Sequence, residues 1–211
     1  MASADRHPLL DGAPLSLTPT ETQDPDGGDI PVLLLLGDGP VARALARLAA
    51  ECGFAVDMAL WDAGALPEAE AGDGTPEDVP DSTGAAPDIP GLRRFLRLAP
   101  EEDAVARCGI GRRHFVCIFP EDEAAATRAL EDVLASHAFF VGLWATRAER
   151  ERVWAALRAA GVPDAELAAV RCPLGLGDLD DMGAPMASAV PVLAELLAAR
   201  AGARQRSRLE D

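Results

Sequence analysis

Apolar positions along the chain follow two rhythms: short continuous runs, and longer stretches in which they recur every three or four residues. The first run, Val32-Leu33-Leu34-Leu35-Leu36, is bounded by glycine and too short for a core helix, so it reads as a strand buried on both faces. It passes through Gly37-Asp38-Gly39-Pro40 into a helix with Val41, Leu45, Leu48 and Cys52 on one face and Arg43, Arg47 and Glu51 on another. Phe54 to Asp62 predicts a second strand, Phe95 to Leu98 a short third, and Phe115 to Phe119 a buried fourth that ends at Pro120. A helix is expected over about 121–136, burying Leu130, Val133 and Leu134, followed by a strand over 139–144.

Thr146-Arg147-Ala148-Glu149 has capping-box spacing, so the next helix opens at Thr146, carries Val153, Trp154 and Leu157 inward and stops at Gly161 before Pro163. A short helical piece near 164–168 and a turn from Cys172 to Gly177 lead to a last helix over about 185–200, with Met186, Val190, Leu193 and Leu197 on one face. Strands alternating with helices predict an α/β fold: a Rossmann-like, doubly wound, mostly parallel sheet with helices on both faces. The expected organisation is a flexible leader (1–29), one domain (30–203) and a C-terminal tail (204–211). Residues 63–90, rich in Pro and Gly with no base and no aromatic, read as a disordered insertion.

The turn after the first strand carries a form of G-x-G-x-x-G/A, with Gly37, Gly39 and Ala42 in the three small positions. Three features weaken the dinucleotide reading. Asp38 sets a carboxylate where a pyrophosphate would sit, Pro40 has no N–H to give an anion, and Leu60 stands where an acid for ribose hydroxyls belongs, leaving only Asp62 slightly late. NAD(P) is therefore disfavoured.

Composition narrows the field further. The formal net charge is −16, and the first 90 residues hold 17 of the 35 acids but only three of the 19 bases, which argues against nucleic acid or an anionic membrane as partner. Lysine and tyrosine are both missing, which removes lysine Schiff-base chemistry, the P-loop lysine and the tyrosine/lysine pair of short-chain dehydrogenases. Cys52, Cys108, Cys117 and Cys172 form no C-x-x-C pair, and no apolar run is long enough for a membrane span, so the expected setting is the cytoplasm. Asp178, Asp180 and Asp181 read as a solvated acidic loop, and His7, His114 and His137 lack triad or metal spacing.

With these residues in place, the chain resembles the Rossmann domain of the XdhC/CoxI family, accessory factors that mature xanthine dehydrogenase and related molybdenum hydroxylases. Gly37 to Ala49, GDGPVARALARLA, is similar to the family's GAGHVARALARLA; Val141 to Arg147 looks like VGLLGSR; Pro173 to Leu176 resembles PIGL; and Leu193 to Leu196 resembles LAEI. The chain departs from the pattern at Pro40, where the family has histidine, at Phe119-Pro120, where it has Thr-His, and at Ala145-Thr146, where it has Gly-Ser. The family's acidic pair in TPEEIA is Met186-Ala187 here.

The resemblance implies a maturation factor that binds molybdenum cofactor (molybdopterin) or docks on a molybdenum hydroxylase apoenzyme, with a cysteine desulfurase as a further partner and a homodimer as its assembly. The candidate ligand-binding residues are Gly37, Asp38, Gly39 and Pro40 at the glycine turn, Thr146 and Arg147 at a helix start, and Cys172 and Gly175 at the later turn. Gly39, Thr146 and Cys172 are expected to meet at one sheet edge. No catalytic set and no metal site is visible, so no enzyme activity is expected. An NAD(P)-binding protein and a degenerate protein-interaction module are the alternatives.

Overall fold

The computed structural model describes residues 30–61, 87–99, 101–175 and 183–210, the side chains of 203–210 excepted. The leader, most of the expected insertion, Asp62 and the 178–181 acids lie outside the described residues. Five strands form one parallel sheet in the order β3-β2-β1-β4-β5: β1 (Val32–Leu36), β2 (Ala55–Trp61), β3 (Leu92–Leu98), β4 (His114–Ile118) and β5 (Phe140–Leu143).

β1 lies at the centre because all five of its residues are apolar and all can be covered. Leu33 and Leu35 enter one core, with α1 (Pro40–Glu51) and α6 (Pro185–Glu210) above them. Leu34 and Leu36 enter the other, covered by α2 (Ala104–Cys108), α3 (Glu123–Leu134), α4 (Arg147–Ala159) and α5 (Asp164–Ala169). The predicted fold class and the two-face covering are what the structure contains.

Several boundaries differ from those expected, each for a local reason. β3 starts at Leu92, not Phe95, because Arg93 and Arg94 belong to the strand: Arg93 donates Nε to Asp57 Oδ1 at 2.8 Å and Nη2 to Oδ2 at 2.7 Å, and Arg94 Nη2 lies 3.1 Å from Oδ2. Asp57, 1% exposed on β2, turns two charged residues into strand formers. Arg94 also donates to the Cys108 carbonyl at 2.9 Å, tying the edge strand to α2.

Hydrophobic rhythm alone misses α2, although its signals are present: Asp103 accepts from the Val105 N–H at 2.7 Å, and Gly109 ends the helix at φ 68°. α3 begins at Glu123, two residues late, because Asp122 is its cap.

The last helix is the largest correction. It runs ten residues past the expected Arg200, and its buried row is Ala189, Val192, Leu193 and Leu196. Met186, Val190 and Leu197 are exposed at 43%, 53% and 37%. The large residues look like the natural core face, but α6 packs on α1, and the core the two helices share includes Ala42, Ala46 and Ala49, small residues that let helices approach closely. Arg200 closes the packing: its guanidinium donates to the Cys52 carbonyl at 3.0 Å and lies 5.3 Å from the Phe54 ring centroid. Phe54 in turn meets Phe115 edge-on, with centroids 5.4 Å apart.

Asp57→Ala removes the carboxylate that two half-exposed arginines share, and should cost about 2–4 kcal/mol. A thermal melt should fall by roughly 5–15 °C, whereas truncating the exposed Glu131 should leave it within about 2 °C. Equal melting of the two variants would show that β3 does not depend on this pair.

Candidate functional site

The turns that follow β1, β4 and β5 gather at the carboxyl end of the sheet, and β1 and β4, where the strand order reverses, bound the crevice in which open α/β sheets take ligands. The glycine turn is built around close approach. Gly37 has φ 104°, and a Cβ there would stand 1.9 Å from the Phe119 carbonyl oxygen, so only glycine lets β1 pass the end of β4. Gly39 has φ 148° with open space beside it.

The Gly39 N–H beside that space is already engaged by the chain itself. The Gly39 N–H donates to Asp38 Oδ1 at 2.7 Å, and Arg43, one turn into α1, donates Nε to the same oxygen at 2.7 Å while its Nη2 pairs with Oδ2. The Arg43 guanidinium, with help from the Gly39 N–H, holds the Asp38 carboxyl below its ordinary value despite partial burial. The stabilisation this pair contributes is present above the unfolded carboxylate pKa near 4 and is lost as pH falls through the lowered value.

Pro40, first residue of α1, adds no donor. A helix end contributes about 0.3–1 kcal/mol to a bound anion. Asp38 sets a carboxylate beside this helix end, offset by the Arg43 guanidinium paired with it, so an incoming phosphate meets that ion pair beside the turn.

The α4 start is closed in the same way. Thr146 caps the helix as expected: Glu149 N–H donates to Thr146 Oγ1 at 3.2 Å, while the Thr146 N–H and hydroxyl donate to Glu149 Oε2 at 2.7 and 2.8 Å. These bonds hold the Glu149 carboxyl below its usual range. Arg147 is exposed on the first turn. At α3, Asp122 Oδ1 accepts from the Ala125 N–H at 2.8 Å. Each of these three helix starts is thus met by a carboxylate of the chain itself.

Cys172 lies at the same end of the sheet. Its thiol donates to the Ala145 carbonyl at 3.8 Å, beside Thr146, and its own carbonyl accepts from Arg150 at 3.2 Å. Burial pushes the thiol up to about 12, so it is protonated at neutral pH and packs as a small apolar group. Cys108 is pushed up to about 11 and Cys117 higher still, also by burial. Gly175 sits at φ 88° at the end of the described segment. Burial lowers the pKa of His114, whose Nδ1 lies 3.0 Å from the Gly111 nitrogen, as expected of a satisfied core histidine.

Gly39, Thr146 and Cys172 share one end of the sheet. Two clefts at this end, among the described residues, are lined by other residues. One, of about 300 Å³, lies at the strand-order reversal between Gly37, Leu60, Trp61, Arg97, Phe119 and Glu121. The Trp61 Nε1–H is buried there without a hydrogen-bond partner. The other, of about 470 Å³, has Trp144 and Ala145 as apolar wall and Glu121, Asp122 and Glu123 at its mouth. Trp144 stacks on Phe119, with centroids 5.8 Å apart, and so links the two clefts.

Sequence reasoning missed Trp61, Arg97 and Trp144 because each reads as a core or strand residue until β1, β2, β3 and β4 are aligned. Among the described residues no group of His, Cys, Asp or Glu is placed to hold a metal ion, and no helix is long and apolar enough to cross a membrane.

Two outcomes test this geometry. A thiol reagent at pH 8 should modify the partly exposed Cys52 first and the partly exposed Cys172 more slowly, because the latter's thiol is pushed up to about 12, with Cys108 and Cys117 reacting only on unfolding; modification of Cys117 in the folded protein, located by mass spectrometry, would contradict its burial. Inorganic phosphate should leave the Gly39 amide resonance of the wild type unmoved and shift it in Asp38→Ala, where the N–H is released. A shift already present in the wild type would show that Asp38 does not close the turn.

Comparison with known proteins agrees with this architecture. The model of the XdhC Rossmann domain matches residues 33–196. A crystal structure of a protein from Bacillus halodurans described as a xanthine dehydrogenase is similar to this chain with a TM-score of 0.58 and 16% identity, over 83% of this chain and 44% of that one. At that identity the likeness concerns the fold, and the chain spans less than half the length of that protein. Among curated proteins none matches. On the extent of the family match, which includes the glycine turn, β4, β5 and most of α6's packed face, the chain belongs to the XdhC Rossmann-domain family.

Proposed function

We propose that the chain is a non-catalytic accessory factor in the maturation of a molybdenum hydroxylase, and that it acts by docking on the target apoenzyme and not by gripping the phosphate of the molybdenum cofactor. Family membership supports the accessory role. The observation that carries the choice of docking is the Asp38 carboxylate on the Gly39 N–H, which takes up a backbone donor that a phosphate ligand would use. The carboxyl end of the sheet instead offers Trp61 and Trp144 among exposed carboxylates, a surface suited to protein contact. With the half-buried Cys172 thiol pushed up to about 12 and so protonated at neutral pH, sulfur from a cysteine desulfurase goes to the hydroxylase without passing through this chain.

A second reading is favoured by one observation, the unpartnered Trp61 Nε1–H in the 300 Å³ cleft. A flat ring presenting an acceptor fits beside it, which would let a pterin bind ring-first with its phosphate in solvent.

Sedimentation of the purified chain with cofactor-free hydroxylase, with mature hydroxylase and with molybdopterin alone separates the two. Docking predicts a micromolar complex with the cofactor-free enzyme, weaker association with the mature one, and no retention of free molybdopterin. Retention of molybdopterin that is lost in Trp61→Phe, with no enzyme complex, would replace the first reading with the second.

A further inference from the structure

We infer that the groove along the outer edge of β5 is a docking site for an extended, basic segment of a partner protein. The inference is independent of what the carboxyl end of the sheet binds. A cavity of about 610 Å³ lies here, with Leu134, Phe139, Phe140 and Val141 on one side and α6 on the other.

Doubly wound sheets of this strand order commonly add a sixth strand beyond β5. In this chain the place is only part filled. Arg171 makes a one-residue bridge, donating its N–H to the Val141 carbonyl at 2.9 Å and accepting from the Leu143 N–H at 2.8 Å, and Leu174 N–H then reaches the Leu143 carbonyl at 3.2 Å. Leu174 also packs against Gly142 so closely that a Cβ there would stand 2.4 Å from its Cδ2. The chain's own residues thus close the upper half of the edge, and the groove follows the lower half, where β5 begins.

The guest's charge is set by Glu195 of α6, which lines the groove. Its Oε2 is buried and accepts no hydrogen bond, and the rest of the lining is apolar apart from the exposed Arg171. A carboxylate oxygen in such a place needs a donor, and a cationic one satisfies it best. Peptides that extend a sheet gain affinity from the backbone and specificity from side chains that meet pockets at alternate positions. An extended segment with apolar residues around one arginine or lysine meets both the Phe139–Val141 wall and the Glu195 carboxylate.

The probe is a fluorescein-labelled Val-Val-Arg-Val-Val peptide blocked at both ends, with glutamine replacing arginine in a control, measured by fluorescence anisotropy at physiological salt on the full chain. The arginine peptide should bind at least tenfold more tightly than the glutamine peptide. Glu195→Gln should abolish that difference, while Glu131→Gln, on the exposed face of α3, should preserve it. Amide shifts on binding should centre on Phe140, Val141 and Ala198.

Equal binding of the two peptides would overturn the inference whatever the variants do. So would arginine binding indifferent to Glu195→Gln in a variant that melts like the wild type, or equally weakened by Glu131→Gln, which marks general attraction to an acidic chain.

Discussion

A parallel sheet hands the chain from strand to helix at one end only, so the amino ends of its helices collect there and leave their unpaired N–H groups together. The rest of this molecule is arranged around that concentration of positive potential. Asp38 at α1, Asp122 at α3 and Glu149 at α4 each place a carboxylate on backbone N–H groups of a helix start. Many folds of this architecture leave such groups for a phosphate. Here a carboxylate of the chain itself stands at each of these three starts, on the Gly39, Ala125 and Thr146 N–H groups, although no side chain caps the first turn of α1.

How far the sequence discloses this depends on whether the deciding contacts are local. β1, the glycine turn and the α4 capping box were legible because every group involved lies within a few residues of its partner, as in Thr146 with Glu149. Asp38 was legible as an obstacle to phosphate, but its partner Arg43 read only as a polar face of α1.

Long-range contacts were hidden. Nothing near Arg93 and Arg94 announces a strand, since the reason is Asp57, 36 residues earlier. The outward turn of Met186, Val190 and Leu197 follows from the alanines of α1, more than 130 residues away. The clefts were invisible for the same reason: Trp61, Arg97 and Phe119 come from three different strand ends.

The two cores differ in kind. Beneath α1 and α6 the contacts are small residues and a phenylalanine cluster around Phe115, which allow close helix approach and fix ring geometry. Beneath α3 and α4 the contacts are leucine, valine and Trp154 between a shorter helix pair and the sheet. Asp57 stands at the margin of the second core, where a charged network replaces apolar packing and holds the edge strand.

Arg200 joins the last helix to the Cys52 and Gly53 carbonyls, which belong to the first strand-helix-strand unit. During synthesis the apolar face of α1 and the Phe54 ring are made long before α6, which covers them. That unit cannot complete its core until α6 has emerged, a delay of roughly ten seconds or more at ordinary elongation rates. The domain is therefore closed by a late contact between its first strand-helix-strand unit and α6. That contact has a large sequence separation of the sort that slows folding and leaves a nascent apolar surface in need of protection.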